Sequence, residues 1–527
     1  MGLLGCTLTV VGGGCRGPRG LSDGLILLNE TPIQRLDPRF TTSTWDVKVS
    51  HLVCASLVSV DNSDGHPRMD LASAVRKIDP LTYVVTLNSA ARFSDGQPVR
   101  ARDVKYTFDS VRNPTLGSPY RRTWDEVLSS VETPTDAPDT IIFHLKAPRA
   151  PFMTDLDFGI VEQSTAEPVD RAVSAAVASG RSPPPFDSSR EVIGAGPYKI
   201  AARPVDTIVL QENALALRRP RESSVTIRTI RDDNARFLAL LGGSGDIIQN
   251  GIMPLVLQTF EQDPRLSIAY GRSDSLTYIG LNLDASPTSN ALVRQAIALG
   301  IDRERIVAAK LRGHAVLATG LLEPKHPFYS GDVTRWPFDP ARAKRLLDQA
   351  GFPDPDGDGP LPRMQLSWKT SANRFRVALA QIMARQLAAI GIEVDVRPFD
   401  FATFMDDIKK GNAQIFTLQA NEIVEADMLR AFFHSSRIPT AAGKWAGLNR
   451  FRYKNADVDR WLNTGATAAD DDTRRDVYAH VQKQLADDLP LIPLWHEDNV
   501  AAMRREVVGY QSGPNGGLGG LASATRH

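Results

Sequence analysis

Four groups of polar side chains could form a binding site, because each follows a segment whose sequence predicts a β-strand. In open α/β sheets, ligands bind beyond the carboxyl ends of the strands. None of the groups pairs a nucleophile with a base, so we expect them to bind a ligand without reacting with it. The groups are Asn29-Glu30-Thr31, Lys369-Thr370-Ser371, Arg397-Pro398 and Gln419-Ala420-Asn421-Glu422.

The segment 339–422 predicts the strands and helices that position three of these groups. Asp339 and Pro340 occupy the N-cap and first position of a helix, and Gly351 follows that helix where a left-handed cap is favoured. Strand and helix patterns then alternate, which predicts parallel strands with right-handed crossovers and hence an α/β fold. The predicted strands cover residues 364–369, 392–396 and 414–418, and the predicted helices between them cover 375–390 and 401–410.

Length, charge and cysteine content narrow the classes of protein to consider. A chain of 527 residues is too long for one hydrophobic core, so we expect two or three domains. Basic and acidic residues both number 61, so no bulk charge attracts the protein to nucleic acid or to an anionic membrane. Cys54 is the one cysteine in the body of the chain, and its apolar neighbours predict a core residue rather than a reactive thiol.

The amino terminus resembles a secretory leader that ends in a lipid-attachment site. A short apolar run at residues 3–11 precedes three glycines and Cys15, and the run is too short to span a bilayer. We expect a leader over residues 1–20, export, and acylation of Cys15. Two features depart from that pattern: no lysine or arginine precedes the run, and Gly12 stands where leucine is usual. A disordered start or a misassigned initiation codon is the alternative interpretation.

A Pro- and Ser-rich loop at residues 179–190 predicts a domain boundary. We expect strands after this loop to rejoin a sheet that begins before residue 48. The predicted strands lie at 24–28, 140–145, 225–230, 246–248 and 278–283, a predicted hairpin at 76–87 turns at Asp79-Pro80, and the predicted helices lie at 47–57, 102–111, 234–241, 290–299 and 472–487.

Two further predictions concern the end of the chain. The run from Leu489 to Trp495 has the pattern of an apolar strand, but Pro490 and Pro493 predict that it lies at a sheet edge or in a connector. The glycine-rich segment 513–520 is expected to be loosely held, because little in it can be buried.

Seven stretches of sequence are informative as an ordered series. They are Leu36-Asp37-Pro38, YVVTL at 83–87, FSDGQPVRARDVKYTF at 93–108, GAGPYKI at 194–200, Asn282 with VRQAIALGIDR at 293–303, FDPARAKRLLDQAGF at 338–352 and LPLIPL at 489–494. Together they resemble the family 5 extracellular solute-binding proteins, which are the oligopeptide-, dipeptide- and nickel-type receptors of bacterial ABC importers. The resemblance covers about residues 24–512.

The resemblance implies an α/β fold of the type II periplasmic-binding-protein class, a three-domain cluster in which two lobes close on a ligand. On that plan the first lobe is discontinuous. It comprises residues 21–47, 190–270 and 497–527, with an inserted domain at 48–189 and a second lobe at 271–496.

The resemblance also implies a role and a location. We expect a monomeric receptor in the periplasm or cell envelope that delivers a peptide or other small solute to ABC permease subunits. That role needs neither a cofactor nor covalent chemistry, and it involves no nucleic acid. A lipid anchor at Cys15 would be the one direct contact with the membrane.

One departure from the family's pattern bears on the ligand. Peptide receptors of the family have a tryptophan after the strand that corresponds to 414–418, and soon afterwards an aspartate that pairs with the ammonium group of the peptide. The spacing to Leu429 places Leu418 and Asn421 at those positions, with Glu422 adjacent. An amide offers only a dipole to an ammonium group, so a free-amine peptide loses its charged anchor unless Glu422 replaces it.

The ligand-binding residues that we predict come from both lobes. Trp368, Trp495 and Tyr120 are included because aromatic faces bury a ligand at low entropic cost. Core packing is an equally good explanation for each of them, and for Tyr278. The full set is Asn29, Glu30, Thr31, Tyr120, Trp368, Thr370, Gln419, Asn421, Glu422 and Trp495.

Metal binding is the less favoured interpretation of two sequence features. The DPDGDG segment at 354–359 matches the first half of a calcium loop, but Gln365 holds the twelfth position, where a glutamate is needed. We therefore interpret the segment as a turn between a helix and a strand. The remaining candidates are scattered histidines without metal-binding spacing, at 314, 326, 434 and 496.

Two other classes of function stay open. A hydrolase could use the same cleft, but the sequence has no nucleophile elbow, zinc motif or clustered His, Asp and Cys residues. A cytosolic ligand sensor on the same fold is favoured if the leader is uncleaved and Cys15 is unmodified.

Overall fold

Three β-sheets form the framework of the protein. The computed structural model describes residues 24–60, 66–181, 192–357, 359–421 and 423–527. The predicted lipid-attachment site Cys15 and the predicted ligand-binding residue Glu422 therefore lie outside the described residues. Within the described ranges, no helix combines the length and the apolar character needed to cross a membrane.

Sheet I has seven strands, and the first strand of the described chain lies at its centre. That strand, Leu25–Asn29, pairs in parallel with Ser224–Thr229 on one side and with Ile247–Gln249 on the other. The prediction that strands beyond the loop at 179–190 rejoin this sheet is therefore confirmed. In spatial order the strands are Leu266–Gly271, Asn499–Arg504, Ile247–Gln249, Leu25–Asn29, Ser224–Thr229, Thr207–Glu212 and Tyr198–Ala202.

A separate antiparallel sheet of four strands, termed the insert sheet, lies between the first and second strands of sheet I along the chain. Its first two strands form the predicted hairpin with its turn at Asp79-Pro80. In spatial order its strands are Ala72–Asp79, Thr82–Leu87, Thr140–Leu145 and Leu128–Glu132, and the helices nearby are Ala101–Arg112, Arg121–Val127, Phe152–Asp155 and Gln163–Ala178. The helix Thr44–Val53, which precedes the insert sheet along the chain, packs in the core beside sheet I.

A fully buried arginine connects the helices of the insert sheet to the start of the chain. The Arg39 guanidinium donates to both carboxylate oxygens of Asp37, at 2.9 and 2.7 Å. It also donates to the Ser110 hydroxyl at 2.9 Å and pairs with Asp170, whose carboxylate accepts from the Tyr106 hydroxyl. A buried cation is tolerated only with such partners, so Asp37 has a structural role that fixes the insert to sheet I.

Sheet II has six strands and contains the parallel unit predicted from the sequence. Met364–Ser371 pairs in parallel with Ile392–Phe399 and with Ile415–Ala420, which confirms that prediction. In spatial order the six strands are Ala315–Leu317, Leu491–Glu497, Leu276–Leu281, Ile415–Ala420, Met364–Ser371 and Ile392–Phe399.

Helices flank both large sheets, and their predicted caps are confirmed. Asp339 accepts a hydrogen bond from the Arg342 amide at 2.8 Å, and Pro340 is the first helical residue. Gly391 and Gly411 follow two helices with φ of 86° and 80°, a conformation that favours glycine. The helices beside sheet I are Asp233–Leu241 and Pro254–Gln262, and those around sheet II are Ala291–Leu299, Arg303–Lys310, Pro340–Gln349, Arg374–Ala388, Phe401–Lys410, Met428–Phe433, Ala456–Thr467 and Asp471–Asp488.

The core beside sheet II encloses Trp368 and Thr370, for which the sequence predicts ligand binding. Both side chains are 0% exposed, on the face of their strand that points into the core. The Trp368 indole donates to the Thr417 hydroxyl at 2.7 Å, which satisfies its one polar group. Trp368 therefore packs in the core, as the alternative interpretation of its sequence position states.

The proline-containing strand lies in a place that the sequence does not predict. Leu491–Glu497 is second from the edge of sheet II, between Ala315–Leu317 and Leu276–Leu281, so the prediction of an edge or connector is wrong. The outer strand has three residues and pairs only with residues 495–497. Pro493 lies beyond the end of this short outer strand, so the backbone N–H that proline lacks is not needed for pairing with it.

The glycine-rich tail is firmly held, so the prediction of a loose tail is wrong. Leu518 and Leu521 are 0% exposed and belong to the core beside sheet I. The Asn499 amide group donates to the carbonyl oxygens of Gly513 and Pro514, at 3.0 Å each. A side chain from a distant strand thus supplies the hydrogen bonds that fix the tail.

Two short connections, together termed the hinge, join sheet I to sheet II. Residues 272–275 lead from sheet I to sheet II, and Asp498 alone leads back. Gly271 pairs with Asn499, which places the two connections side by side. We use lobe I for sheet I together with the insert sheet, and lobe II for sheet II with its helices. Two adjacent short connections are the arrangement that allows two lobes to rotate about one axis.

Replacing Trp368 by Phe should destabilise lobe II without weakening ligand binding. The change leaves the Thr417 hydroxyl buried without its donor, which should lower the free energy of unfolding by about 1–3 kcal/mol. Urea denaturation followed by circular dichroism measures that change. The matched control is Trp461→Phe at a half-buried helical position, where we expect a change below about 1 kcal/mol. A loss of ligand affinity with unchanged stability would contradict the core role of Trp368.

Candidate functional site

A cavity of about 520 Å³ lies between lobe I and lobe II. This volume falls within the range of about 300–1,000 Å³ that is typical of sites for small molecules. Polar side chains reach it from lobe I, from lobe II and from the hinge. They include Glu30, Thr31, Lys48, Asp233 and Asn250 of lobe I, Asn373, Arg376, Gln419, Asn421 and Glu497 of lobe II, and Ser273, Asp274, Ser275 and Asp498 of the hinge.

Strand ends position several of these groups, as the general rule for open α/β sheets predicts. Glu30 and Thr31 follow the central strand of sheet I, and Asn250 follows its parallel neighbour. Gln419 and Asn421 lie at the end of a parallel strand of sheet II. Four of the ten predicted ligand-binding residues thus line one cavity, and their contact with ligand stays a prediction.

Asn29 and Tyr120 have predicted ligand-binding roles, but neither lines the cavity. Asn29 is 0% exposed, and its side-chain oxygen accepts from the Thr229 hydroxyl at 2.9 Å within sheet I. The Tyr120 hydroxyl lies 2.9 Å from the Thr41 hydroxyl, and its ring packs edge-on against Phe158 at 5.5 Å. Asn29 therefore contributes to the hydrogen bonding of sheet I, and Tyr120 contributes to packing in the insert.

An arginine that the sequence does not single out organises the lobe II wall of the cavity. The Arg376 guanidinium donates to the Gln419 side-chain oxygen at 2.6 Å and lies 3.3 Å from the Glu497 carboxylate. The same carboxylate oxygen accepts from the Thr277 hydroxyl at 2.8 Å and from the Trp495 indole at 3.1 Å. Trp495 is fully buried, so it supports this wall from behind and does not line the cavity.

Arg376 and Glu497 have opposite charges, so the pair has no net charge. Burial opposes ionisation of the Glu497 carboxyl group, but Arg376 and the hydrogen bonds from Trp495 and Thr277 outweigh it and lower the pKa of Glu497. Arg376 is placed by the first turn of its helix, whose N-cap Asn373 accepts from the Arg376 amide at 3.1 Å. A cap that follows a parallel strand end is the one sequence signal that points to this arginine.

Two carboxylates on the lobe I wall differ in their surroundings. Glu30 accepts from the Trp45 indole at 3.0 Å, and no Lys, Arg or His of the described chain lies within ion-pair distance of it. Asp233 pairs at 2.7 Å with Arg236, which is buried behind the wall and also donates to the Ile230 carbonyl oxygen. Asp233 is therefore neutralised locally, whereas Glu30 is not.

A histidine next to the hinge connects the two lobes. The His314 ring of lobe II stacks on the Tyr270 ring of lobe I, with centroids 4.0 Å apart and planes within 2°. One of its nitrogens lies 4.0 Å from Asp498 and the other 3.8 Å from Glu261. Burial raises the pKa of Asp498, and His314 offsets that rise only in part.

A second set of contacts joins the insert to lobe II. Arg149 pairs with Asp155 of the insert and also lies 3.5 Å from Asp427 of lobe II. Glu126 of the insert pairs with Arg437 of lobe II at 3.0 Å. These ion pairs cross from lobe I to lobe II, so the two lobes are in contact on this side as well.

The calcium-loop candidate and Cys54 both have structural surroundings. Among the side chains that the structure describes, no three His, Cys, Asp or Glu residues are grouped as a metal site. Asp354 pairs with Arg363 at 3.3 Å and Asp356 accepts from the Leu361 amide, so both serve the turn in which they lie. Cys54 is buried, and burial raises the pKa of its thiol, which keeps it from acting as a nucleophile.

Comparison with known proteins adds four findings. Residues 66–438 match the family model described as bacterial extracellular solute-binding proteins, family 5, middle. The chain is 26% identical over 492 residues to the oligopeptide-binding protein AppA of Bacillus subtilis (strain 168), covering 90% of this chain and 86% of that protein. It is 25% identical over 453 residues to the glutathione-binding protein GsiB of Salmonella typhi, covering 84% and 82%. The structure of NikZ from Campylobacter jejuni in complex with Ni(L-His) has the same fold, with a TM-score of 0.80, 23% identity and coverage of 96% and 99%.

Replacing Arg376 by Met should destabilise the protein more at pH 8 than at pH 5. The change leaves the Glu497 carboxylate in the wall without its cation and raises its pKa, so its ionised form opposes folding until acid protonates it. We expect a loss of about 1–3 kcal/mol in the free energy of unfolding at pH 8 and a smaller loss at pH 5. Urea denaturation at both pH values measures the difference.

Two further variants control this prediction. Arg376→Lys keeps the positive charge, so the loss should be smaller and less dependent on pH. Arg475→Met removes an exposed arginine whose partner is Asp472 of the same helix, and it should change little at either pH. Equal losses at pH 8 and pH 5 for Arg376→Met would show that Glu497 does not depend on this arginine.

Proposed function

Because the chain belongs to the family 5 bacterial extracellular solute-binding proteins, we propose that it captures a small solute between its lobes and delivers it to the permease subunits of an ABC importer. The cavity of about 520 Å³, with one wall from each lobe and the hinge between them, is the observation that best supports this proposal. A ligand can contact both walls at once only when the lobes are closed. Binding therefore favours the closed form, and closure is what a permease would sense.

The proposed ligand is a peptide or a peptide-like solute. Relatives named for oligopeptide and glutathione binding support this class, and the cavity suits a short ligand. We propose that Glu30 and Thr31 contact it from lobe I and that Gln419 and Asn421 contact it from lobe II. Arg376 holds Gln419 in place and so positions that half of the site.

We propose that the protein binds its cargo without altering it. Two serine hydroxyls on the cavity wall, those of Ser273 and Ser275, bond to each other at 2.7 Å rather than to a general base. His314 lies beside Asp498 and Glu261 and stacks on a tyrosine, so it is placed between the lobes and not beside a nucleophile. A hydrolase would need a nucleophile within hydrogen-bond reach of its base.

Cargo-linked closure, measured by small-angle X-ray scattering, tests the proposed function. Native mass spectrometry of the purified protein identifies the cargo that co-purifies with it. The cargo-free protein should have a larger radius of gyration, and adding the cargo back should reduce it while the cargo stays chemically intact. Turnover of the cargo, or a radius that never changes, would contradict the proposal.

Within this experiment, Arg149→Met should weaken the apparent affinity for the cargo by about threefold to tenfold. The closed form loses the contact of Arg149 with Asp427, and a partly exposed pair of this kind is worth about 1 kcal/mol. The matched control is Arg171→Met, because Arg171 pairs with Glu167 of the same helix and its contact does not depend on closure.

We also propose that the protein is exported and anchored at the cell envelope through Cys15. In a bacterial host that processes lipoproteins, the full chain should incorporate a labelled fatty acid and fractionate with membranes. Cys15→Ala should abolish the label and release the protein into the soluble fraction. Incorporation of the label by the Cys15→Ala variant would contradict the anchor, and so would a wild-type chain that is unlabelled and soluble. Neither result would contradict the proposal of solute capture.

A further inference from the structure

The wall of the cavity has an excess of negative charge. Among the side chains that the structure describes there, Lys48 and Arg376 are permanently cationic, whereas five are carboxylates. The charge of a buried wall decides which ligands can be enclosed, because closing the lobes removes water that would otherwise screen it. The five carboxylates are Glu30, Asp233, Asp274, Glu497 and Asp498.

Two of the five carboxylates already have a cation at short range. Asp233 pairs with Arg236 at 2.7 Å, and Glu497 lies 3.3 Å from Arg376. Glu30, Asp274 and Asp498 also line the wall, together with Lys48. Among the described side chains the formal charge of the lining is therefore negative before any ligand enters, whichever of these groups interact with one another.

Glu30 and Asp498 are the two carboxylates whose surroundings are best defined. Glu30 receives a neutral hydrogen bond from the Trp45 indole and has no cation of the described chain at ion-pair distance. The nearest basic group to Asp498 is the His314 ring, at 4.0 Å, and that ring is shared with Glu261 at 3.8 Å. Burial already raises the pKa of Asp498, so its charge is costly in the closed form.

From this arrangement we infer that the cargo has a basic group other than the terminal ammonium that any free peptide has, and that Glu30 and Asp498 receive it. The inference rests on the proposed function and specifies the class of ligand: a basic peptide, or a small amine or guanidine of similar size. A cation between these carboxylates offsets the free energy cost of enclosing them. Asn421 on the opposite wall has no charge of its own, so it cannot take this role.

The place of Asp498 links the charge of the cargo to closure. Asp498 is the single residue between the last strand of sheet II and the neighbouring strand of sheet I. A cation that binds there interacts with the hinge itself, at the point where the two walls meet. A neutral ligand of the same shape leaves that carboxylate unpaired in the closed form, so it should close the lobes less completely.

Isothermal titration of the wild-type protein with three tripeptides tests the inference: Ala-Lys-Ala, Ala-Gln-Ala and Ala-Glu-Ala. These probes have similar size and differ in side-chain charge. We expect Ala-Lys-Ala to bind at least about tenfold more tightly than Ala-Gln-Ala, and Ala-Glu-Ala to bind most weakly. The ratio should fall as salt is raised, because salt screens the attraction.

The variants Glu30→Gln and Asp498→Asn should each reduce the preference for Ala-Lys-Ala over Ala-Gln-Ala to below about threefold. The matched control is Asp332→Asn, because Asp332 is 90% exposed and lies outside the cavity, and its variant should keep the wild-type ratio. Retention of the full preference in both cavity variants would overturn the assignment to Glu30 and Asp498.

The outcomes separate this inference from the proposed function. Equal binding of the three peptides, or a preference for Ala-Glu-Ala, overturns the positive charge of the cargo and leaves solute capture intact. A co-purified cargo that is neutral or anionic does the same. A protein that binds no peptide, retains no cargo and shows no closure overturns both.

Discussion

The function of this fold depends on the two adjacent connections between sheet I and sheet II. Residues 272–275 and Asp498 are so short that the ends of the two sheets cannot separate, yet each connection can change its backbone angles. The walls of the cavity are therefore free to move apart at one side while they stay joined at the other. The buried Arg39 network connects the helices of the insert to the segment that follows the central strand of sheet I, so we expect the insert and sheet I to move together.

Local rules in the sequence were sufficient for most of the elements and for the parallel unit of sheet II. The cap at Asp339, the glycines at 391 and 411 and the turn at Asp79-Pro80 each depend on a few neighbouring residues, and the structure agrees with them. The place of Leu491–Glu497 could not be predicted in this way. It depends on the length of the three-residue strand beside it, which comes from a distant part of the chain.

The candidate site was predictable where it follows the ends of strands and not elsewhere. That rule finds Glu30, Thr31, Gln419 and Asn421, because the position of each along its strand can be counted from the sequence. It does not say which of two successive side chains faces the core, and so it also includes Asn29 and Thr370. Glu497 and Asp498 could not be found from local patterns, because their importance lies in partners that are far away in sequence. For Arg376, the cap at Asn373 is the one local signal, and it does not reveal the distant partner Glu497.

The contact of Asn499 with the glycine-rich tail has a consequence for how the protein is made. All strands of the two large sheets have been synthesised by Arg504, but the hinge also needs Gly513 and Pro514, whose carbonyl oxygens bond to the neighbour of Asp498. The central strand Leu25–Asn29 is among the earliest segments to be translated, but its two partner strands follow only at residues 224–229 and 247–249. A ribosome that stopped after residue 512 would release a chain with complete sheets and an unsupported hinge.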